Sequence, residues 1–166
     1  MAGESARALQ FAMLTAARSG EVRGARWSEI DLQAKIWRVP AERMKAGVEH
    51  EVPLSDEAVE LLKKQPVHSD VTDLVFPGMK LKPLSDMSLS AVMRRMDVDA
   101  VPHGLRSTFR MWAAERTNHP REAAEHALAH KLPDKVEAAY QRSTLLAKRR
   151  QLMVDWAQFL TTATEG

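Results

Sequence analysis

"LTAARSGEVRGARWSEIDL", residues 14–32, is where one structural habit of this chain stops and another begins. Upstream, Leu9, Met13 and Ala16 or Ala17 recur at helical spacing over residues 5–18 with few breakers, which predicts a helix ending near Ser19-Gly20. Downstream, "KIWRV" (35–39) and "HEVPL" (50–54) are short β-prone runs separated by a turn signal at Ala46-Gly47, which predicts a β-hairpin. Val52-Pro53 places its second strand at a sheet edge or strand end, because proline cannot donate to a ladder. "LVFPG" (74–78) reads as a third short strand closed by Pro-Gly.

The rest of the chain reads as helix. Ser55 suits an N-cap, with Asp56 and Glu57 in the first turn and Val59 and Leu62 on a buried face, for a helix to about Lys64. Apolar stripes mark further helices over Ser88–Met96 (Leu89, Val92, Met93, Met96) and Gly104–Thr117 (Leu105, Phe109, Trp112). Pro120 suits the first position of a helix to about His130, and Pro133-Asp134 opens a short one through Tyr140. A last helix, about 144–161, aligns Leu145, Leu152, Trp156 and Phe159 or Leu160. The expected class is α+β, mostly α-helical with a small antiparallel sheet of three short strands.

At 166 residues and 45% hydrophobic, the chain suits a single domain with a real core. It has no signal-like N-terminus and no apolar run long enough to span a bilayer, so a cytoplasmic protein is expected. The absence of cysteine removes disulfides, thiol nucleophiles and thiolate metal sites. Charge is nearly balanced, 24 Lys and Arg against 22 Asp and Glu, so it does not by itself announce a nucleic-acid partner. The distribution is more informative: Arg142, Lys148, Arg149 and Arg150 form a run without acids, and Lys80, Lys82, Arg94 and Arg95 form another, which read as solvated helix faces or DNA contacts.

Four features carry possible chemistry. Arg18 lies near a helix end with Glu21 three residues on; taken alone, this is a surface arginine with a nearby acid. His103 and Arg106, in "HGLR", turn to one side of a helix start while Leu105 and Phe109 face the core. His126 and His130, in "EHALAH", have i,i+4 spacing, but the glutamate of a zinc-protease helix is missing between them and no metal site is expected. Tyr140, in "KVEAAYQRS" (135–143), is the only tyrosine; it is in register with Val136 and reads by itself as a packed ring with its hydroxyl at the surface.

Taken in order, "LTAARSGEVRGARWSEIDL", "ERMK", "HGLR", "LAH" and Tyr140 resemble the catalytic domain of the tyrosine recombinases, the phage-integrase family, over roughly Ala8 to Leu160. The likeness is nearest to integrases of prophages and genomic islands. It implies the tyrosine recombinase catalytic-domain fold, with the whole of 1–166 as one catalytic domain. Because the chain opens almost directly into a core helix, the expectation is a C-terminal fragment of a longer integrase whose N-terminal DNA-binding domains are absent. It also implies roles: Arg18 and Arg106 as the two catalytic arginines, Glu21 as the acid supporting them, Lys45 as the lysine of the hairpin turn, His103 and His130 as the two histidines, and Tyr140 as the nucleophile. Two departures are small for small: Ala16 and Ala129 stand where the family often has glycine, and both are expected to keep the backbone path. The interval from His130 to Tyr140 is about a residue longer than in many members.

The chemistry suits these residue types. A phosphodiester under attack gathers negative charge on its non-bridging oxygens, and a guanidinium is permanently charged and grips two oxygens in a planar fork. A tyrosine hydroxyl, with an ordinary pKa of about 10, forms a phenolate that leaves tolerably in the reverse step. The resemblance implies that His103 assists the proton leaving Tyr140, Lys45 protonates the departing 5′-hydroxyl, and His130 hydrogen-bonds a non-bridging oxygen. No metal or cofactor is required. The implied partners are double-stranded DNA attachment sites, further copies of the chain in a tetramer on DNA, and accessory DNA-bending proteins, with the protein at the nucleoid when bound. The alternatives are type IB topoisomerase-like nicking and closing, and a catalytically silent DNA-binding remnant.

Overall fold

The computed structural model describes residues 3–130 and 135–162, with side chains for 3–130 and 145–162. Helix α1 (Glu4–Thr15) ends three residues earlier than its periodicity suggests, because Ala16 adopts left-handed backbone with φ 54°. The chain then re-enters a short helix, α2 (Ser19–Arg23), with Arg18 at the N-cap and the Glu21 carboxylate accepting from the Arg18 backbone N–H at 3.3 Å. This break puts Arg18 in a fixed corner between two helices.

A 3₁₀ turn (Trp27–Glu29) leads into a three-stranded antiparallel sheet in the order β1-β2-β3: β1 (Ile30–Asp31), β2 (Ile36–Val39) and β3 (His50–Pro53). The hairpin register pairs Val39 with His50 and Trp37 with Val52. The third strand is therefore Ile30–Asp31, and not "LVFPG" as expected. Leu74 makes only an isolated bridge to Arg26, closed by Trp27 N–H to the Asp73 carbonyl at 2.8 Å and Val75 N–H to the Ala25 carbonyl at 2.9 Å, and Pro77 has no N–H to offer the next rung.

The helical remainder comprises α3 (Asp56–Lys63), α4 (Ser88–Arg95), α5 (Pro102–Arg116), α6 (Arg121–Ala127) and α7 (Lys135–Thr162). Ser55 caps α3 as expected, its Oγ accepting from Ala58 N–H at 3.3 Å. Helix α5 starts at Pro102, not Gly104, since proline at the first turn forgoes only an N–H that has no helical partner. Pro120 is the N-cap residue of α6 and not its first helical residue, and α6 stops short of His130 because Ala129 is again left-handed, φ 58°. The two helices expected after Pro133 form one continuous α7, whose sequence between Tyr140 and Leu145 contains neither proline nor glycine to break it. Pro133 and Asp134 themselves lie outside the described residues.

Two apolar clusters hold these elements. The first packs α1, the sheet, α3 and α4 around fully buried Phe11, Trp37 and Phe76, with Phe11 5.2 Å from Trp37 and 5.4 Å from Phe76. The second joins α5, α6 and α7 through Phe109, Trp112 and Trp156, and Phe109 meets Trp156 edge-on at 5.3 Å. Trp156 Nε1 donates to the Met13 carbonyl at 2.7 Å, so α7 is tied to α1 at the seam between the clusters. The stripe Leu152, Trp156 and Phe159 is thus used inside the protein's own core.

The basic run on α7 departs from the expectation of a solvated or DNA-contacting face at Arg149 and Arg150. Arg149 is 1% exposed and its Nη2 donates to the Glu51 carbonyl of β3. Arg150 Nη2 donates to the Ala34 carbonyl at 3.0 Å. These arginines bolt α7 to the sheet.

The two left-handed alanines give a stability test. An L-residue in this region costs about 1–2 kcal/mol, of which glycine's extra unfolded-state freedom offsets about 0.4–1 kcal/mol. Ala129 is the cleaner site because it is only half-buried, whereas Ala16 is packed at 2% exposure. Ala129→Gly is expected to raise stability by about 0.5–1 kcal/mol, roughly 1–4 °C in melting temperature. A lowered melting temperature would contradict the left-handed geometry.

Candidate active site

Arg106 is the centre of the arrangement. It comes from the second turn of α5, but its side chain is 5% exposed and not at an open rim. Its Nη1 donates to the Ala16 carbonyl and its Nη2 to the Leu128 carbonyl, each at 2.7 Å. Those carbonyls belong to the C-terminal caps of α1 and α6, where backbone acceptors lack helical partners and the helix dipole favours a cation. Both left-handed alanines therefore sit where the chain turns its carbonyls onto one guanidinium.

Burial, followed by the like charge of Arg18, lowers the Arg106 pKa to about 10, and Glu21 opposes the shift. The group stays cationic at neutral pH. Its remaining N–H groups are available to an anion. Arg18 stands beside it, and Glu21, 6% exposed, accepts from Arg18 Nη1 at 3.2 Å. The Arg18–Glu21 pair is thus a half-buried part of this cluster and not an isolated surface contact.

His103 lies one turn before Arg106 on α5 and is exposed. His130 follows the left-handed Ala129, and its Nδ1 is hydrogen-bonded to Glu125 Oε2. Glu125 also accepts from Arg110 Nε at 2.8 Å. Partial burial raises the Glu125 pKa, but the hydrogen bonds from His130 and Arg110 outweigh it and hold the carboxyl below the usual range. An ionised carboxylate can only accept, so Nδ1 of His130 carries a proton and Nε2 is the ring nitrogen left for another partner. His103, Arg106, Ser107, Arg110, Met111, Ala114, Leu128 and His130 line one open cleft of 340 Å³.

Of the residues picked from sequence, His103, Arg106 and His130 line this cleft, and the Arg18–Glu21 pair adjoins it through the charge it exerts on Arg106. Lys45 is exposed on the β2–β3 connection and is not among the described residues lining the cleft. Tyr140 falls within α7 by its backbone, and its side chain lies outside those described. Among the described residues no group of three or more histidine or acidic side chains is placed to hold a metal.

Sequence inspection missed three supporting groups. Glu125 and Arg110 orient His130; Arg110 follows Arg106 by four residues, one helical turn, which was the available signal. The third is His50, 8% exposed on β3, with its ring 6.2 Å from His126. Burial first, then the charge of Arg149, lowers its pKa to about 3 against a raising hydrogen bond to the Ala127 backbone, so it is neutral at working pH. Nothing in its strand context signals this, because burial at that position depends on α6 and α7 closing over the sheet.

The model of the phage integrase family matches residues 3–145. The chain is similar to the prophage integrase IntA of Escherichia coli K12, with 36% identity over 159 residues, 93% of this chain and 38% of that protein. It is likewise similar to the prophage integrase IntZ of the same strain, with 35% identity over 162 residues, 96% of this chain and 40% of that protein. The chain thus spans about two fifths of the length of the curated relatives it matches. In fold it resembles a lambda integrase tetramer bound to a Holliday junction, with a TM-score of 0.56 and 23% identity over 80% of this chain and 42% of that one.

Proposed function

The chain belongs to the phage integrase family, and on that premise we propose that it cuts and rejoins double-stranded DNA at specific sites through a 3′-phosphotyrosyl intermediate. The observation that carries this is the buried Arg106 fork, held by two helix-end carbonyls beside Arg18, at the floor of a cleft that His103 and His130 share.

In this proposal a DNA phosphate enters the cleft and its non-bridging oxygens meet Arg18 and Arg106. Both cations are fixed before the reaction, so stabilising the five-coordinate transition state requires little reorganisation. Tyr140 Oη attacks phosphorus and the bond to the 5′-oxygen breaks. The phenolic proton passes to His103, and the departing 5′-oxygen takes a proton from Lys45. His130, oriented by Glu125, faces a non-bridging oxygen through Nε2. Glu21 keeps the Arg18 side of the cluster in place. The phosphotyrosine conserves the bond, so a 5′-hydroxyl reverses the step without ATP.

The active assembly is proposed to be a tetramer on two attachment sites, as in the lambda integrase structure, with accessory DNA-bending proteins as further partners. The chain is proposed to act as the catalytic domain of a longer integrase, working in the cytoplasm on nucleoid DNA; among the described residues no helix is long and apolar enough to cross a membrane.

The test begins with duplexes randomised over their core. Those that remain on the protein after denaturation are sequenced to give the attachment site. Two such duplexes carrying different labels are then incubated with the protein. Joints that combine both labels are expected. Nicking and resealing of each duplex without exchange would instead indicate a type IB topoisomerase-like activity, and binding without adduct a silent remnant.

A further inference from the structure

Lys45 is exposed at the tip of its hairpin, yet two residues earlier the same loop is anchored by a half-buried ion pair, with the Arg43 side chain 21% exposed. Arg43 Nε donates to Glu29 Oε2 at 2.9 Å, and Arg43 Nη2 donates to Glu29 Oε1 at 2.7 Å. The fork is planar and bidentate, a geometry lysine cannot reproduce. The third nitrogen, Nη1, donates to the Glu21 carbonyl at 3.2 Å, reaching the short helix that carries the acid beside Arg18.

Glu29 is itself over-determined. Its Oε1 also accepts from Trp37 Nε1 at 3.2 Å and from the Arg26 backbone N–H at 3.1 Å, and its side chain is 7% exposed. Gly24 bears on the same seat: a Cβ there would stand 2.5 Å from Arg43 Nη1, so a larger residue would push the guanidinium from its present position. Met44, next in sequence, is 6% exposed and packs in the main core. Arg43 and Met44 are thus fixed, and the residue after them is the free amine.

We propose that Arg43 is a positioning residue for strand cleavage: by joining Glu29 to the Glu21 backbone across Gly24, it sets the root of the Lys45 loop relative to the Arg18–Glu21 helix. This rests on the role proposed above for Lys45 as proton donor to the leaving 5′-oxygen. A donor on an exposed loop contributes only if the loop root limits where it can reach, since misplacement by about 1 Å costs up to about 10²-fold.

The test uses the duplex selected from the randomised library in two forms, one natural and one with sulfur in place of the 5′-oxygen at the cleaved bond. A thiolate leaves without a proton donor, so the sulfur substrate removes the need for Lys45 and nothing else. On natural DNA, Lys45→Ala and Arg43→Lys are each expected to slow single-turnover cleavage by about 10²-fold. On the sulfur duplex both are expected to return to within a few-fold of the unaltered protein. Recovery by Lys45→Ala but not by Arg43→Lys overturns the positioning role. Failure of Lys45→Ala to recover overturns the donor role instead.

Hydrogen exchange on the DNA-free protein gives a readout that does not depend on cleavage. In Arg43→Lys and in Gly24→Ala, amides 44–49 are expected to exchange faster while those of α5 stay as they were. An unchanged hairpin contradicts the proposal.

Discussion

Arg106→Lys is expected to lower single-turnover strand cleavage by roughly 10²–10³. The physical reason is division of labour within one guanidinium. Two of its nitrogens are committed to the Ala16 and Leu128 carbonyls, and the cation they hold in place is what meets the phosphate in the proposed mechanism. A lysine ammonium reaching either carbonyl cannot also span both and present a planar face to two oxygens. The same substitution is expected to destabilise the protein. One buried helix-end carbonyl loses its partner, at about 1–3 kcal/mol, roughly 2–4 °C of melting temperature for each kcal/mol. Cleavage assays paired with thermal melts on the same preparation check both. Full activity in the lysine variant would mean that the fork is a structural strut and that the phosphate is held elsewhere.

These two effects have one origin. Arg106 joins the C-terminal ends of α1 and α6 and thereby fixes the residues that follow them: Arg18 two positions beyond Ala16, and His130 two beyond Leu128. The cluster is organised around a buried charge whose burial opposes it, lowering its pKa to about 10, and whose helix-end partners offset part of that cost. A site meant to receive a phosphate gains from a cation held in this way, because little solvent or side-chain motion is needed when negative charge develops.

Much of this was legible where it depends on local sequence. The hairpin followed from two β-prone runs around Ala46-Gly47, and the α3 cap from Ser55 ahead of two acids. The pairing of Arg18 with Glu21 followed from a three-residue interval at a helix start, and the same interval on α5 brought His103 and Arg106 to one cleft, though with Arg106 buried and not at its rim. What was not legible depends on contacts between distant segments. That Ala16 and Ala129 are left-handed is settled by where their neighbouring carbonyls must point, and Ala16 is 90 residues from the arginine it serves. Strand β1 is two residues long, too short for any periodicity to register. Arg149 and Arg150 look solvated in sequence because charged runs usually are; only the packing of α7 on the sheet shows that they bond to backbone. Arg43 and Glu29 lie 14 residues apart and have no helical or strand relation that would mark them as partners.

The second large effect concerns Tyr140. Phenylalanine keeps the ring, so any packing role survives, and removes only the oxygen that the proposed chemistry needs. No other tyrosine exists in the chain to substitute for it, and there is no cysteine to provide a different strong nucleophile. Tyr140→Phe is therefore expected to remove the covalent intermediate entirely while leaving the melting temperature close to that of the unaltered protein. Binding to the selected duplex should persist and remain salt-sensitive, since it depends on cationic side chains that the substitution does not touch.

The decisive measurement is a suicide duplex: the selected attachment site, nicked beside the cleaved bond so that the released fragment diffuses away and religation stops. The expected result is a protein–DNA adduct that survives denaturation, maps after proteolysis to the peptide containing Tyr140, and is absent with Tyr140→Phe. An adduct that persists in the phenylalanine variant, or that maps to a serine, threonine or histidine, contradicts it.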